Sequence, residues 1–92
     1  MDIYRVNINE LDIVDKEPII IYSKLGKRNI TYVKNLLFYY PRYEILKQLQ
    51  TLKKQLNCNG TFKNNELLFL GEHKNKIYNF YNLLGHKVVI HP

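Results

Sequence analysis

The chain has 92 residues, 46% of them hydrophobic, which is enough for one small domain with a thin core and too little for several. Its 14 Lys and Arg against 8 Asp and Glu give a formal net charge of +6, and its single cysteine, Cys58, excludes an intramolecular disulfide and the usual zinc-ligand spacings. The apolar run at 18–22 is far too short to span a bilayer, and no charged start leads into a hydrophobic signal region. The expectation is a cytoplasmic protein in a reducing compartment, with no membrane association.

Charge is unevenly distributed. Residues 1–17 hold five acids (Asp2, Glu10, Asp12, Asp15, Glu17) against two bases (Arg5, Lys16), net −3, while residues 18–92 hold twelve bases against three acids, net +9. A positive body of this kind attracts phosphate backbones or an acidic protein, and net charge alone does not separate the two. Alanine and tryptophan are missing while Asn, Ile, Lys and Tyr abound, the profile of an AT-rich coding sequence.

In chain order, residues 3–15 (IYRVNINELDIVD) partly alternate apolar and polar, which fits an edge strand, but the acids and the lack of turn chemistry fit an arm equally well. The division adopted is an acidic N-terminal arm over 1–17 and one domain over 18–92. PIIIYS at 18–23 is a β-branched run that reads as a buried strand, and ITYVKNL at 30–36 alternates across two faces. The glycine-containing loop between them makes a hairpin with Lys24, Lys27 and Arg28 at its tip. Pro41 suits a helix start, and Ile45, Leu49, Leu52 and Leu56, with Leu46 beside them, form one apolar stripe to about Leu56. Lys47, Gln50, Lys53 and Lys54 are left toward solvent.

Asn57, Asn59 and Gly60 accept left-handed backbone angles and so end this helix, with Cys58 packing as a small hydrophobe. The asparagine sequons at 29–31 and 59–61 read as turn and strand residues rather than modification sites. Strands follow at 61–63 and 66–70 around the two-residue turn Asn64-Asn65, and Gly71 breaks the sheet. Ile77, Phe80, Tyr81 and Leu84 have helical spacing from His73 to Leu84, Gly85 suits the residue after the helix, and Val88 to Ile90 reads as a last strand. The order β-β-α-β-β-α-β predicts a two-layer α/β sandwich, a five-stranded mostly antiparallel or mixed sheet with two helices on one face.

Catalytic signals are weak. There is no phosphate-binding loop, dinucleotide fingerprint or nucleophile elbow, and the one serine, Ser23, falls inside a predicted strand. His73, His86 and His91, with Lys87, would suit a small ribonuclease, but they read better as a first-turn, a loop and a chain-end residue. No catalytic residue, metal or cofactor is expected. Tyr22, Tyr32 and Tyr81 read as core or sheet residues, and Tyr39, Tyr40 and Tyr43 as cover for the helix start rather than as base-stacking groups.

The cationic hairpin is the sharpest binding feature, because charges held on a loop between two strands suit the fixed phosphates of a structured RNA. The sequence also resembles the eukaryotic translation initiation factor 1 family. KLGKRNITYVKNL resembles that family's basic hairpin and CNGT at Cys58 to Thr61 its most recognisable tetrapeptide. LLFLGEHKNKIYNFYNLLG and VVIH resemble its later strand, glycine, second helix and closing strand, so the likeness covers about residues 18–91.

The resemblance implies a monomeric factor rather than an enzyme, one that binds the small ribosomal subunit near the P site, supports scanning and start-codon selection, and meets other initiation factors. By position, Lys24, Lys27 and Arg28, with Lys47, Lys53 and Lys54, would face rRNA, and Lys63, Asn64 and Asn65 would be the loop toward tRNA. Cys58, Asn59, Gly60, Thr61 and Gly71 would be structural motif residues. The hairpin at 63–66 is several residues shorter than the family's loop, FYYPRYE stands where the family tends to be acidic, and the familiar glycine and aromatic residue are replaced by His91-Pro92. Those departures suit a divergent viral or protist member acting in a host cytoplasm, or a mimic that occupies initiation factors as a protein-interaction module.

Overall fold

The structure, a computed structural model, describes residues 17–24 and 29–91. Residues 1–16 of the arm expected over 1–17, the loop residues 25–28 with Lys27 and Arg28, and Pro92 lie outside the described residues. In chain order the elements are β1 (Ile19–Ser23), β2 (Ile30–Lys34), a 3-10 turn (Leu36–Phe38), α1 (Arg42–Leu56), β3 (Gly60–Lys63), β4 (Glu66–Leu70), α2 (Lys74–Leu83) and β5 (Val88–Ile90).

The strands form one mixed sheet in the order β3-β4-β2-β1-β5. Neighbours are antiparallel except β5, which runs parallel to β1. Alternation along each strand puts Ile19 and Ile21, Thr31 and Val33, and Leu67 and Phe69 on one buried face. The register aligns Ile21, Val33 and Leu67 across three strands. Both helices cover this face, Ile45, Leu49, Leu52 and Leu56 from α1 and Ile77 and Tyr81 from α2 completing the core, so the domain is the expected two-layer α/β sandwich. At about 1.5–3 kcal/mol per fully buried aliphatic or aromatic side chain, this one cluster supplies most of the driving force.

Several boundaries differ from the sequence expectation. β2 stops at Lys34, because Asn35 turns left-handed (φ 76) and its Nδ2 donates to the Pro18 carbonyl at 2.8 Å. Leu36 is buried from the 3-10 turn, not from the strand. Pro41 is extended (ψ 163) and precedes the first helical residue, Arg42, and Leu46 is 40% exposed, off the stripe. α1 ends as expected in left-handed Asn57 (φ 53), with the Cys58 N–H donating to the Lys53 carbonyl. His73 caps α2 from outside, and Leu84 is 53% exposed, so the α2 core set narrows to Ile77 and Tyr81 with Phe80 at the margin. β1 is buried on one face only, and PIIIYS is therefore not a fully interior strand.

Two glycines have specific structural reasons. A Cβ on Gly60 would lie 2.7 Å from the buried Phe69 ring and 3.0 Å from the Leu68 carbonyl, so only glycine lets β3 close on β4. Gly71 takes φ 103 and donates its N–H to the Asn29 carbonyl at 2.8 Å, tying the end of β4 to the base of the β1–β2 hairpin. Thr31, the buried polar side chain among the described residues, donates to the Gly71 carbonyl at 2.6 Å and accepts the His73 N–H at 3.1 Å. No described helix is long and apolar enough to cross a membrane.

Candidate nucleic-acid interface

The register gives the sheet two distinct ends. Ser23 faces Thr31, Thr31 faces Phe69 and Phe69 faces Gly60, so Lys24, Asn29, Gly71 and the start of β3 share one end. α1 delivers its last turn to that same end, since only Asn57, Cys58 and Asn59 separate Leu56 from Gly60. The expected rRNA-facing residues Lys24, Lys53 and Lys54 thus lie toward the same end of the sheet, but Lys53 and Lys54 sit on the helix layer beside β3 while Lys24 follows β1, with β4 and β2 between, over the Tyr32 ring. Lys27 and Arg28 belong to the same loop and lie outside the described residues.

Each cation has its own setting. Lys24 is exposed, with its Nζ 4.9 Å from the centre of the Tyr32 ring. Lys53 is half-buried and Lys54 exposed in the last turn of α1, where the carbonyl end of the helix dipole favours positive charge. With Gln50, Asn57, Cys58 and Asn59 they line a shallow polar depression. Lys47 is also exposed, seven residues before Lys54 and therefore about 10 Å back along the same outer stripe. It pairs with Glu44 at 3.7 Å and approaches the Tyr43 ring at 5.7 Å, which reduces its pull on a phosphate relative to Lys54.

Lys63, Asn64 and Asn65 are gathered into the tight β3–β4 turn, both asparagines with positive φ (54 and 63), at the opposite end of the sheet from Lys24. The turn residues and the cationic cluster therefore do not form one site. The tetrapeptide Cys58 to Thr61 divides by role. Asn59 accepts the Leu70 N–H at 3.0 Å, Gly60 makes room for Phe69, and Thr61 is exposed opposite Leu68. Cys58 packs against the core, and its burial pushes the thiol up from 9.0, only partly opposed by the Lys53 charge, which disfavours the nucleophilic thiolate.

Sequence reasoning missed Lys74. Its Nζ lies 3.4 Å from Ser23 Oγ and 3.5 Å from Glu72, so it sits under the base of the hairpin. A lysine in the first turn of a helix is disfavoured by the dipole, and the acid two residues before it was the available signal. Lys34 was also missed; it reaches over the Tyr22 ring at 5.5 Å on the sheet face away from the helices.

The histidines are dispersed. The Tyr40 hydroxyl bonds His86 Nε2 and Tyr39 meets the same ring edge-on, while His73 Nε2 lies 2.8 Å from the Leu70 carbonyl and His91 follows β5 at the other end of that strand from His86. Tyr39 and Tyr40 pack against the core as expected, whereas Tyr43 is 63% exposed. Among the described residues no three His, Cys, Asp or Glu side chains are grouped to hold a metal ion. Compared with protein-family models and with curated proteins, the chain matches none.

Proposed function

We propose that this protein is a ribosome-binding factor of the translation initiation factor 1 type, using the end of the sheet that carries Lys24, Lys53 and Lys54 to contact rRNA on the small subunit, in the cytoplasm and without catalysis. The observation that carries the reading is that Lys24 from the hairpin and Lys53 and Lys54 from the end of α1 lie toward the same end of the sandwich, with Lys74 reaching Ser23 at the base of the hairpin. Charges held on fixed elements match fixed phosphates at little entropic cost. The sequence resemblance in KLGKRNITYVKNL and CNGT supports the same reading, and in this chain the glycine of that tetrapeptide makes room for the Phe69 ring.

A binding site of this kind is electrostatic and is therefore weakened by salt. Small-subunit co-sedimentation across a salt series tests it: Lys24→Glu combined with Lys53→Glu and Lys54→Glu lowers affinity and flattens the salt slope by about one for each phosphate that no longer meets a lysine. Unchanged binding near physiological salt overturns it. A second reading, an interaction module that occupies initiation factors, is favoured by the apolar rim where Leu83 (85% exposed) and Leu84 stand beside Phe80. Capture of initiation factors without subunit binding, abolished by Leu83→Asp, would select it.

A further inference from the structure

The sheet face away from the helices carries no element among the described residues. Register lays this face out as a grid. Leu70 and Ile30 pair at one corner, Leu68, Tyr32 and Tyr22 follow in line across the middle, and Ile20 pairs with Val89 at the opposite corner. The apolar groups therefore form a diagonal band. Lys24, one step beyond the pair of Ser23 with Thr31, lies on one side of the band, while Lys34, opposite Ile20, and Lys63, opposite Glu66, lie toward the other. The tyrosine rings stack at 5.0 Å and 12°, with Lys24 over Tyr32 and Lys34 over Tyr22.

We propose that this band is the docking site of an acidic amphipathic helix from a partner protein. A sheet face left to water normally turns polar side chains outward, whereas the outward positions of β1, β2, β4 and β5 are mostly isoleucine, leucine, valine and tyrosine. The size is that of a helix: three strand spacings by four residues of strand make the band about 20 Å long, which matches about 13 helical residues. A recess of about 250 Å³ between Ile30, Thr61, Leu68 and Leu70 offers an apolar seat at one end. Charge selects the partner. A helix with an apolar stripe bordered on both sides by carboxylates would meet Lys24 along one border and Lys34 and Lys63 along the other. Among the described residues the opposing acid on this face is Glu66, and its carboxylate is already engaged by the Tyr22 hydroxyl.

Two other occupants fit less well. A second copy would set the same lysines against each other, which costs association energy. A single-stranded nucleic acid needs bare ring faces for its bases, and each tyrosine here already has a ring and an ammonium as neighbours. The proposal is independent of ribosome binding. It shares only Lys24 with the residues assigned to rRNA.

The test is a magnetic-resonance titration of the isotope-labelled full chain with a synthetic helix of about 14 residues, carrying leucines at i, i+4, i+7 and i+11 and glutamates along both borders. Signals of Ile20, Tyr32, Leu68 and Val89 shift and saturate below about 1 mM peptide, while those of Leu49, Leu52 and Leu83 stay. Lys24→Glu with Lys34→Glu weakens binding at least about fivefold, and Lys76→Glu, beside the Leu83 rim, leaves it unchanged. Unmoved Leu49 and Leu52 signals report that each variant is folded, and Lys63→Glu replaces the double variant should that one not fold. No shift at that concentration, shifts confined to the helix layer or the Leu83 rim, or equal binding of the peptide with glutamines in place of its glutamates overturns the proposal. Face signals that move on dilution of the free protein, or that respond more strongly to oligouridine than to the peptide, make a second copy or a nucleic acid the occupant and overturn it as well.

Discussion

The hydroxyl of Tyr81, on a side chain with no exposed surface, donates to Gln48 Oε1 at 2.8 Å and so fastens α2 to α1 above the sheet. The ring fills the core, and the bond disposes of the one polar atom this burial would otherwise strand. Tyr81→Phe keeps the ring and removes the bond, and half-buried Gln48 can turn to water. The expected loss is about 1 kcal/mol, a fall in Tm of about 4–8 °C for a domain this size, read by thermal unfolding.

Gly60→Ala is expected to be more damaging than Gly85→Ala, although Gly85 has the unusual backbone (φ 91) and Gly60 does not. A methyl at Gly60 drives into a fully buried ring and a backbone carbonyl, overpacking that costs about 1–3 kcal/mol. At Gly85 nothing lies within 4 Å of the added atom, and only the left-handed strain, about 1 kcal/mol, remains. Denaturant midpoints of the two variants rank them, and the reverse order would refute the role given to Phe69.

Thr31→Val removes a hydroxyl that serves Gly71 and His73 together, leaving a buried carbonyl and a helix-start N–H without that partner. Stability falls by about 1–3 kcal/mol. Hydrogen exchange accelerates locally at His73 and in the first turn of α2, because that is where the donor is released.

Alkaline pH is expected to unfold the domain. Burial holds the Tyr81 phenol well above its ordinary 10.0, and burial with the Glu66 contact does the same for Tyr22. Above pH 10 the unfolded chain releases these protons while the folded chain keeps them, so the native state binds more protons and stability falls as pH rises. Chemical unfolding followed between pH 8 and 11 gives a flat midpoint at first and then a decline beginning near the phenol's ordinary value; a midpoint that rises would reverse the sign and refute it.

Small-subunit binding, where the proposed function holds, separates the cations by place. Lys54→Glu weakens it more than Lys47→Glu, because Glu44 already lies 3.7 Å from the Lys47 ammonium. Lys63→Glu, at the far end of the sheet from Lys24, leaves it unchanged. Competition assays at low and near-physiological salt separate the three variants.

The parts of the fold legible in the sequence were those fixed by local periodicity. Ile45, Leu49, Leu52 and Leu56 announce α1 by spacing alone, and Asn64-Asn65 announces its turn because both residues tolerate positive φ. What was not legible depends on groups distant in the chain. Asn35 ends β2 through a bond to Pro18, seventeen residues away, and Leu84 has helical spacing but stays 53% exposed at the margin beside Phe80. At the candidate interface the charged types were visible one by one. Lys74 was not, since its place under the hairpin is set by Ser23, fifty-one residues away.

The parallel pairing of β5 with β1 bears on the order in which the molecule is made. β1 is the first strand in the described chain and β5 the last, with Ile19, Ile20 and Ile21 set against Val88, Val89 and Ile90. During synthesis β1 can pair with β2 almost at once, but its other edge stays open until residue 90 has left the exit tunnel. For that interval an isoleucine-rich strand offers unpaired backbone groups to any neighbour, so nascent chains are most vulnerable to aggregation before the last three-residue strand arrives.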